Sequence, residues 1–183
     1  MPTKRTKTAR KKVERPGKPA APVLSLAVQY AVDPAGLPGR ARFRRWVQSA
    51  LTIGSATGAA ITLRIVGAVE GRQLNARFRR RHHATNVLSF PYDTARSPHK
   101  RKMLSGDIVL CAPVIAQEAR VQGKPLAAHY AHLTVHGMLH LQGYDHQRDS
   151  DANKMERLET AILGRLGWPD PYAPTAPGTK RRP

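Results

Sequence analysis

Apolar and polar residues alternate in residues 23–31 and 60–67, and this period of two is typical of β-strands with one buried face. Two further segments, residues 85–92 and 106–112, are bounded by Pro or Gly and are also predicted to be strands. Within residues 60–67, Ile61, Leu63 and Ile65 alternate with polar neighbours, so they are expected to face the core. Residues 93–105, between the last two segments, lack this pattern and are predicted to form a polar, basic loop. The predicted strands are residues 23–31, 60–67, 85–92 and 106–112.

Five further segments place apolar residues three or four positions apart, as on the buried face of an amphipathic helix. Gly and Pro residues separate the third of these segments from the fourth, which favours two helices over one. Residues 149–151 offer N-caps and acidic side chains to the start of the last helix. The apolar stripe of the first helix is Phe43, Trp46, Val47, Ala50 and Leu51. The predicted helices are residues 38–52, 70–78, 113–121, 126–142 and 150–166.

Strands and helices alternate early in the chain and helices dominate late, which predicts an α+β fold. We expect a small mixed sheet of the four strands, packed against helices in a single domain, since 183 residues suit one domain. Cys111 is the only cysteine, which excludes an internal disulfide, and its apolar strand predicts burial. No apolar run approaches the roughly 20 residues that span a bilayer, so no membrane association is expected.

Charge changes this picture of an ordinary small domain. The chain has 31 Lys and Arg against 12 Asp and Glu, a net charge of +19, which disfavours cationic ligands and favours phosphate-rich partners. Residues 1–22 and 173–183 hold +7 and +3 of that charge, and both are predicted to be disordered basic tails. The folded domain is predicted over residues 23–172, and without a secretory signal a cytoplasmic location is expected.

Three histidines near the end of the fourth predicted helix have the spacing of metal ligands. His136 and His140 are separated by one helical turn, which leaves them offset by only about 40° around the axis. Gly143 can stop the helix and let the chain bring His146 back to the same ion. Three neutral imidazoles leave one coordination position open, as in catalytic zinc sites. The sequence therefore predicts a metal site on the long helix and the following turn.

The same histidine spacing occurs in the extended zinc-peptidase motif H-E-x-x-H-x-x-G-x-x-H. In that motif the Glu after the first His is the general base, whereas this chain has Gly137. Peptide hydrolysis is therefore disfavoured, and a base must come from elsewhere, either Asp145 or the metal hydroxide itself. His129 and His132 share the helix side of the metal ligands and are candidates for contacts to the ligands or the substrate.

Three motifs carry a family resemblance. HGMLHLQGYDH at 136–146 closely resembles the H-G-x-L-H-L-x-G-Y-D-H signature of the YbeY family, the bacterial rRNA maturation factors. TNVLSFP at 85–91 and SGDIVLC at 105–111 resemble the family's other motifs in order and spacing, so the resemblance covers roughly residues 23–168. It implies a zincin-like fold and a metal-dependent, single-strand-specific endoribonuclease. Such enzymes act in maturation of the 16S rRNA 3′ end and in ribosome quality control.

The resemblance also implies individual roles. His136, His140 and His146 would bind one Zn²⁺ per chain. The family's functional arginine stands six positions before the Thr of TNVLSFP, which is Arg79 here. Ribosomal RNA and the small ribosomal subunit would be partners, together with a small-subunit ribosomal protein and an assembly GTPase.

A run of basic residues surrounds Arg79. A guanidinium forms bidentate hydrogen bonds with phosphate, and near a metal ion it could hold the scissile phosphate. Arg77, Arg80 and Arg81 are expected to bind the RNA backbone, and which arginine of the run faces the metal is left open. Aromatic residues make up 5% of the chain, so recognition of backbone and shape is expected rather than base stacking.

Two other functions stay open at this point. One is a ribosome-associated RNA-binding assembly factor with a structural zinc and little or no cleavage activity, which the glycine at position 137 favours. The other is a metal-dependent hydrolase of a different substrate, including a peptidase, which the same glycine makes the weakest of the three. The nucleophile is also open between water and the ribose 2′-hydroxyl.

Overall fold

The computed structural model describes residues 23–51, 58–92 and 103–173. The predicted tails, apart from Ala173, and most of the predicted basic loop lie outside the described residues. All nine predicted helices and strands occur, within a few residues of the predicted bounds. In chain order they are β1 (Val23–Tyr30), α1 (Arg40–Leu51), β2 (Gly58–Val66), α2 (Ala68–Arg79), β3 (Val87–Pro91), β4 (Met103–Cys111), α3 (Ala112–Val121), α4 (Leu126–Leu141) and α5 (Asp149–Arg165).

Two local predictions are wrong. β4 begins three residues earlier than predicted, because Met103 already pairs with Gly58 of β2. The N-cap of α5 is Arg148, whose side chain forms no capping hydrogen bond, so the predicted polar caps are not used. Asp149 and Asp151 do lie in the first turn, where their charges suit the positive end of the helix.

The four strands form one mixed sheet in the order β1-β2-β4-β3, as the α+β prediction requires. β1, β2 and β4 are parallel, whereas β3 pairs antiparallel with β4. β3 is therefore an edge strand of the sheet that the described residues form. Since side chains alternate along a strand, β3 presents successive residues to opposite faces of the sheet.

Helices cover both faces of the sheet. On the first face, α1, α4 and α5 bury one large core against Ile61, Leu63 and Ile65, so the predicted inward residues of β2 are confirmed. The predicted apolar stripe of α1 is buried along its whole length. On the second face, a smaller cluster around Val66 and Cys111 packs against α2. None of the described helices is long and apolar enough to cross a membrane.

Candidate metal centre

The fold brings the three predicted ligand histidines together at the end of α4. The ring centroids of His136 and His140 are 4.5 Å apart, and the ring of His146 is 5.5 Å from the first and 5.0 Å from the second. Nitrogen atoms of all three rings lie within 4.8 Å of one another. His136 and His140 are partly buried and His146 is exposed. The cluster is therefore enclosed by protein on the side of the first two rings and open to solvent on the side of His146.

The turn after α4 positions the third histidine. Gly143 has a φ of +88°, in the left-handed region that glycine enters at little cost. Its backbone N–H donates to the carbonyl of His140, and the N–H of Tyr144 donates to the carbonyl of Leu139, at 2.9 and 3.1 Å. This pair of hydrogen bonds is the Schellman motif that ends many helices. It reverses the chain and carries His146 back beside the helix.

Hydrogen bonds to the other ring nitrogens orient the two helical histidines. Nδ1 of His136 donates to Oε1 of Glu159 at 2.8 Å, and Nδ1 of His140 donates to the carbonyl of Tyr144 at 3.0 Å. Because a carboxylate and a carbonyl only accept, each neutral ring carries its proton on Nδ1 and has a bare Nε2. The two Nε2 atoms face each other at 3.0 Å. Two lone pairs this close repel each other unless a cation lies beside them, so the donor set fits a metal ion.

The protonation state of His140 suits this role. Burial, together with the neighbouring His136 and His146, lowers the pKa of His140 to about 4. At neutral pH the ring is therefore uncharged, and its Nε2 lone pair is available. Metal ligation by histidine requires this neutral form.

A buried carboxylate on α5 supports the cluster from behind. Glu159 is fully buried and accepts hydrogen bonds from Nδ1 of His136 at 2.8 Å and Nε2 of His132 at 2.9 Å. The hydroxyl of Tyr172 donates to the same carboxylate. Burial raises the pKa of the carboxyl group, but the hydrogen bonds from both histidines outweigh this and lower it to about 2. Glu159 is thus ionised and holds one ring of the cluster in place.

Sequence reasoning missed Glu159 and Tyr172. A signal was present for the glutamate, because it lies on the apolar stripe of α5 with Met155, Ile162 and Leu163, all of them buried. A carboxylate at such a position requires polar partners, since burying an unpaired charge is costly. The sequence does not name those partners, because His136 lies 23 residues away along the chain.

The two further histidines of α4 have different surroundings. His132 reaches the cluster through Glu159, as its candidate role in ligand contacts requires. His129 is buried and bonds Glu118 of α3 at 2.8 Å, and the amide of Asn86 donates to both oxygens of the same carboxylate. Burial lowers the pKa of His129 despite that carboxylate. His129 therefore ties α4 to α3 and to the start of β3.

Position 137 faces the sheet rather than open space. A Cβ atom on Gly137 would lie 3.0 Å from Cγ2 of Ile108 and 3.1 Å from Oγ of Ser89, both on the sheet. A glutamate there would extend into the helix–sheet interface. The absence of the peptidase general base thus has a packing reason as well as a chemical consequence.

Gly137→Ala is expected to lower the free energy of unfolding by about 1 kcal/mol. Overpacking costs roughly 1–3 kcal/mol, which outweighs the gain of up to about 1 kcal/mol from replacing a helical glycine. Gly164→Ala on α5 is the matched control, because nothing lies within 4 Å of its added Cβ. Urea titration measures the free energy of unfolding of both variants, and Gly164→Ala should be more stable than the wild type. Equal gains for both variants would show that position 137 has room for a side chain.

Asp145, a candidate base, lies in the turn between the second and third histidines. Its Oδ1 accepts a hydrogen bond from the backbone N–H of His146 at 2.8 Å. The carboxylate therefore stabilises the turn that carries this histidine. Its charge also acts on His140, where it raises the pKa against the larger lowering effects of burial and the neighbouring histidines.

The predicted arginines lie at the end of α2. Arg79 is the last residue of the helix, and Arg80 is its C-cap. Arg80 has a φ of 56°, the only positive φ of a non-glycine residue among the described residues. All four arginines are exposed, and within the described part of the chain none forms an ion pair or a contact with the three histidines. The exposed arginines at this helix end are Arg77, Arg79, Arg80 and Arg81.

Comparison with known proteins agrees with this architecture. The family model described as Endoribonuclease YbeY matches residues 38–167. A Nitrosomonas europaea protein named Endoribonuclease YbeY is 52% identical over 172 residues, covering 94% of this chain and 98% of that relative. A protein of the same name from Alkalilimnicola ehrlichii is 53% identical over 154 residues, covering 83% of this chain and 93% of its own.

A solved structure shares the fold. The solution structure of TM1509 from Thermotoga maritima aligns with a TM-score of 0.52 and 19% sequence identity, covering 81% of this chain and 99% of that chain. The family match spans every element from α1 to α5, including the helix and turn that carry the histidines. The resemblance found in the sequence motifs is thereby confirmed, and the chain belongs to the YbeY endoribonuclease family.

Proposed function

We propose that this chain is a zinc-dependent, single-strand-specific endoribonuclease with a zincin-like metal site. The observation that carries this proposal is the pair of bare Nε2 atoms on His136 and His140, 3.0 Å apart, with His146 beside them. The name Endoribonuclease YbeY, borne by relatives about half identical to this chain, supports the reaction class. The open side of the cluster favours a catalytic over a structural metal, because substrate can reach it.

Three imidazoles suit zinc, which prefers nitrogen and sulfur ligands in a tetrahedral arrangement. When bound, zinc supplies a Lewis acid that polarises phosphoryl oxygens and lowers the pKa of water. The protein's contribution is orientation. Glu159 and the carbonyl of Tyr144 hold the protons of His136 and His140 on Nδ1, which keeps both Nε2 atoms directed at the same point.

We assign the handling of the substrate phosphates to the basic end of α2. Arg79 would hold the scissile phosphate and offset its developing charge, while Arg77, Arg80 and Arg81 bind neighbouring phosphates. The left-handed backbone of Arg80 supports a functional demand on this segment, because a glycine there would be less strained. Their freedom from ion pairs within the described residues leaves these side chains available to RNA.

The substrate we propose is ribosomal RNA, with maturation of the 16S rRNA 3′ end and ribosome quality control as the cellular roles. Family membership and a net charge of +19 support a large anionic partner. The small ribosomal subunit, one of its proteins and an assembly GTPase would then be partners, in the cytoplasm. The remaining candidate function is an RNA-binding assembly factor with a structural zinc, favoured by the lack of a base at Gly137.

Arg79→Ala is expected to lower kcat for a single-stranded 16S rRNA fragment on the order of 10²–10³-fold, the usual loss for one electrostatic transition-state contact. Its zinc content should be unchanged, since the candidate ligand groups among the described residues consist of histidines and Glu159. Arg42→Ala, at an exposed position of α1, is the control and should cleave normally. Equal cleavage by both variants would remove Arg79 from the mechanism.

The same assay separates the two candidate functions. A duplex of the same sequence should not be cut if the enzyme is specific for single strands. A wild-type chain that binds ribosomal subunits and zinc but never cuts would establish the assembly-factor function. Where cleavage occurs, a 2′,3′-cyclic phosphate product identifies the 2′-hydroxyl as nucleophile, and its absence from the initial products identifies water.

A further inference from the structure

Three aromatic side chains lie together on the surface, near the end of α2 and the end of β3. Phe78 and Tyr92 are each 54% exposed, and the half-buried ring of Phe90 lies 4.7 Å from that of Phe78. The chain has only three phenylalanines, and the third, Phe43, is fully buried in the core. Grouped exposed rings, unlike isolated ones, indicate a binding surface.

The three rings share one face of the sheet. Phe90 packs with the cluster under α2, so it lies on the second face. The hydroxyl of Tyr92 bonds Asp107, which stands opposite Phe90 in the β3–β4 register. Tyr92 is thereby fixed on the same face, at the edge of the sheet. We call the surface formed by Phe78, Phe90 and Tyr92 the aromatic platform.

Cations border the aromatic platform. The guanidinium carbon of Arg77 lies 5.3 Å from the ring centroid of Phe78, within the range of a cation–π contact. Arg79, Arg80 and Arg81 follow directly on the same chain segment. An apolar protein partner or a neutral surface would gain nothing from so much positive charge. Rings interleaved with arginines match single-stranded nucleic acid, whose bases stack while its phosphates are neutralised.

The aromatic platform and α4, the helix that carries His136 and His140, lie on opposite faces of the same edge strand. Ser89 of β3 faces α4, with its Oγ 3.1 Å from a Cβ placed on Gly137, the residue after His136. Phe90, the next residue of β3, faces the other side. Only the thickness of one strand therefore separates the platform from the helix that carries the histidines.

We propose that the aromatic platform is a stacking subsite for unpaired nucleobases of single-stranded RNA. This inference rests on the proposed endoribonuclease function and explains its preference for single strands, since bases in a duplex have no free faces to offer. It goes beyond the backbone recognition expected from the low aromatic content of the chain. The few aromatic residues outside the core suffice because the fold gathers three of them in one place.

The test compares two probes, a short single-stranded oligoribonucleotide and an abasic oligomer of the same length and charge. Both are titrated into the full chain carrying His140→Ala, which prevents cleavage during the measurement. Phe78→Ala added to that chain should weaken binding of the base-bearing probe about 5- to 150-fold, the effect of losing one stacked base, and leave abasic binding unchanged. Equal loss for both probes, or loss for neither, would overturn the proposal.

Three further variants guard against misfolding and distinguish charge from stacking. Val69→Ala, at a 66% exposed position of the same helix, is the matched control and should bind both probes normally. Arg77→Gln should weaken both probes alike, because it removes a charge that either backbone meets. Phe78→Trp keeps a ring at the site, and its fluorescence should be quenched by the base-bearing probe alone.

The outcome is independent of whether the enzyme cuts RNA. Base-dependent binding without any cleavage by the wild-type chain would support stacking on the aromatic platform and refute the nuclease proposal. Cleavage by the wild type, with Phe78→Ala binding both probes as tightly as before, would refute the platform alone.

Discussion

Replacing His140 with alanine is expected to abolish tight zinc binding and, with it, cleavage of RNA. The variant loses one of three imidazoles and leaves the Nε2 of His136 without its neighbour at 3.0 Å. Loss of an outer partner of a metal ligand already costs roughly 10–100-fold in affinity, so loss of a ligand should cost more. The ring of His136 stays in place because Glu159 holds it. The turn that carries His146 loses the hydrogen bond from His140 to the carbonyl of Tyr144 but keeps its two backbone hydrogen bonds.

Zinc binding is measured by competition with a chromophoric chelator, and folding by far-ultraviolet circular dichroism of the same samples. His82→Ala, at an exposed histidine outside the cluster, is the control and should retain wild-type affinity. Wild-type zinc affinity in His140→Ala, with its fold preserved, would show that the cluster does not bind the metal as proposed.

The second large effect is expected at Glu159. In Glu159→Gln the amide oxygen can still accept one proton, but the NH₂ group cannot accept from the other histidine. His136 and His132 then compete for a single acceptor in a fully buried place. We expect zinc affinity to fall about 10–100-fold and the free energy of unfolding of the metal-free chain to fall by about 1–3 kcal/mol.

Two further variants serve as comparisons for Glu159→Gln. Tyr172→Phe removes one donor to the carboxylate and leaves both histidine contacts, so its zinc affinity should fall less. Glu156→Gln, at an exposed position of α5, removes the same charge from the surface and should leave zinc affinity unchanged. If Glu159→Gln binds zinc as tightly as Glu156→Gln does, the buried carboxylate does not orient the metal site.

The elements of the fold were predictable because their signals are local. The stripe of α1 from Phe43 to Leu51 and the alternation around Leu63 depend only on helical and strand periods, which neighbouring residues reveal. The histidine cluster was predictable for the same reason, since His136, His140 and His146 lie within one helix and one turn. Sequence patterns were less reliable for boundaries, as the early start of β4 shows.

What the sequence could not reveal depends on tertiary contacts. Glu159 meets His136 only because α5 packs along α4. Phe78 meets Phe90 only because the end of α2 packs against β3. At position 137 the sequence shows that the general base of the peptidase motif is missing. The structure adds the reason, because a side chain there would be too close to Ile108. Pairings of this kind are fixed by packing and have no local sequence signature.

Cleavage of a single-stranded 16S rRNA fragment, mapped to the nucleotide while zinc is removed and returned, tests metal-dependent RNA cleavage by this chain most directly. The full chain is treated with a chelator, dialysed, and reconstituted with zinc in steps. We expect cleavage at defined positions to stop on chelation and to return in proportion to bound zinc, reaching its full rate at one ion per chain. Cleavage at the same positions by zinc-free protein would contradict a metal-dependent endoribonuclease.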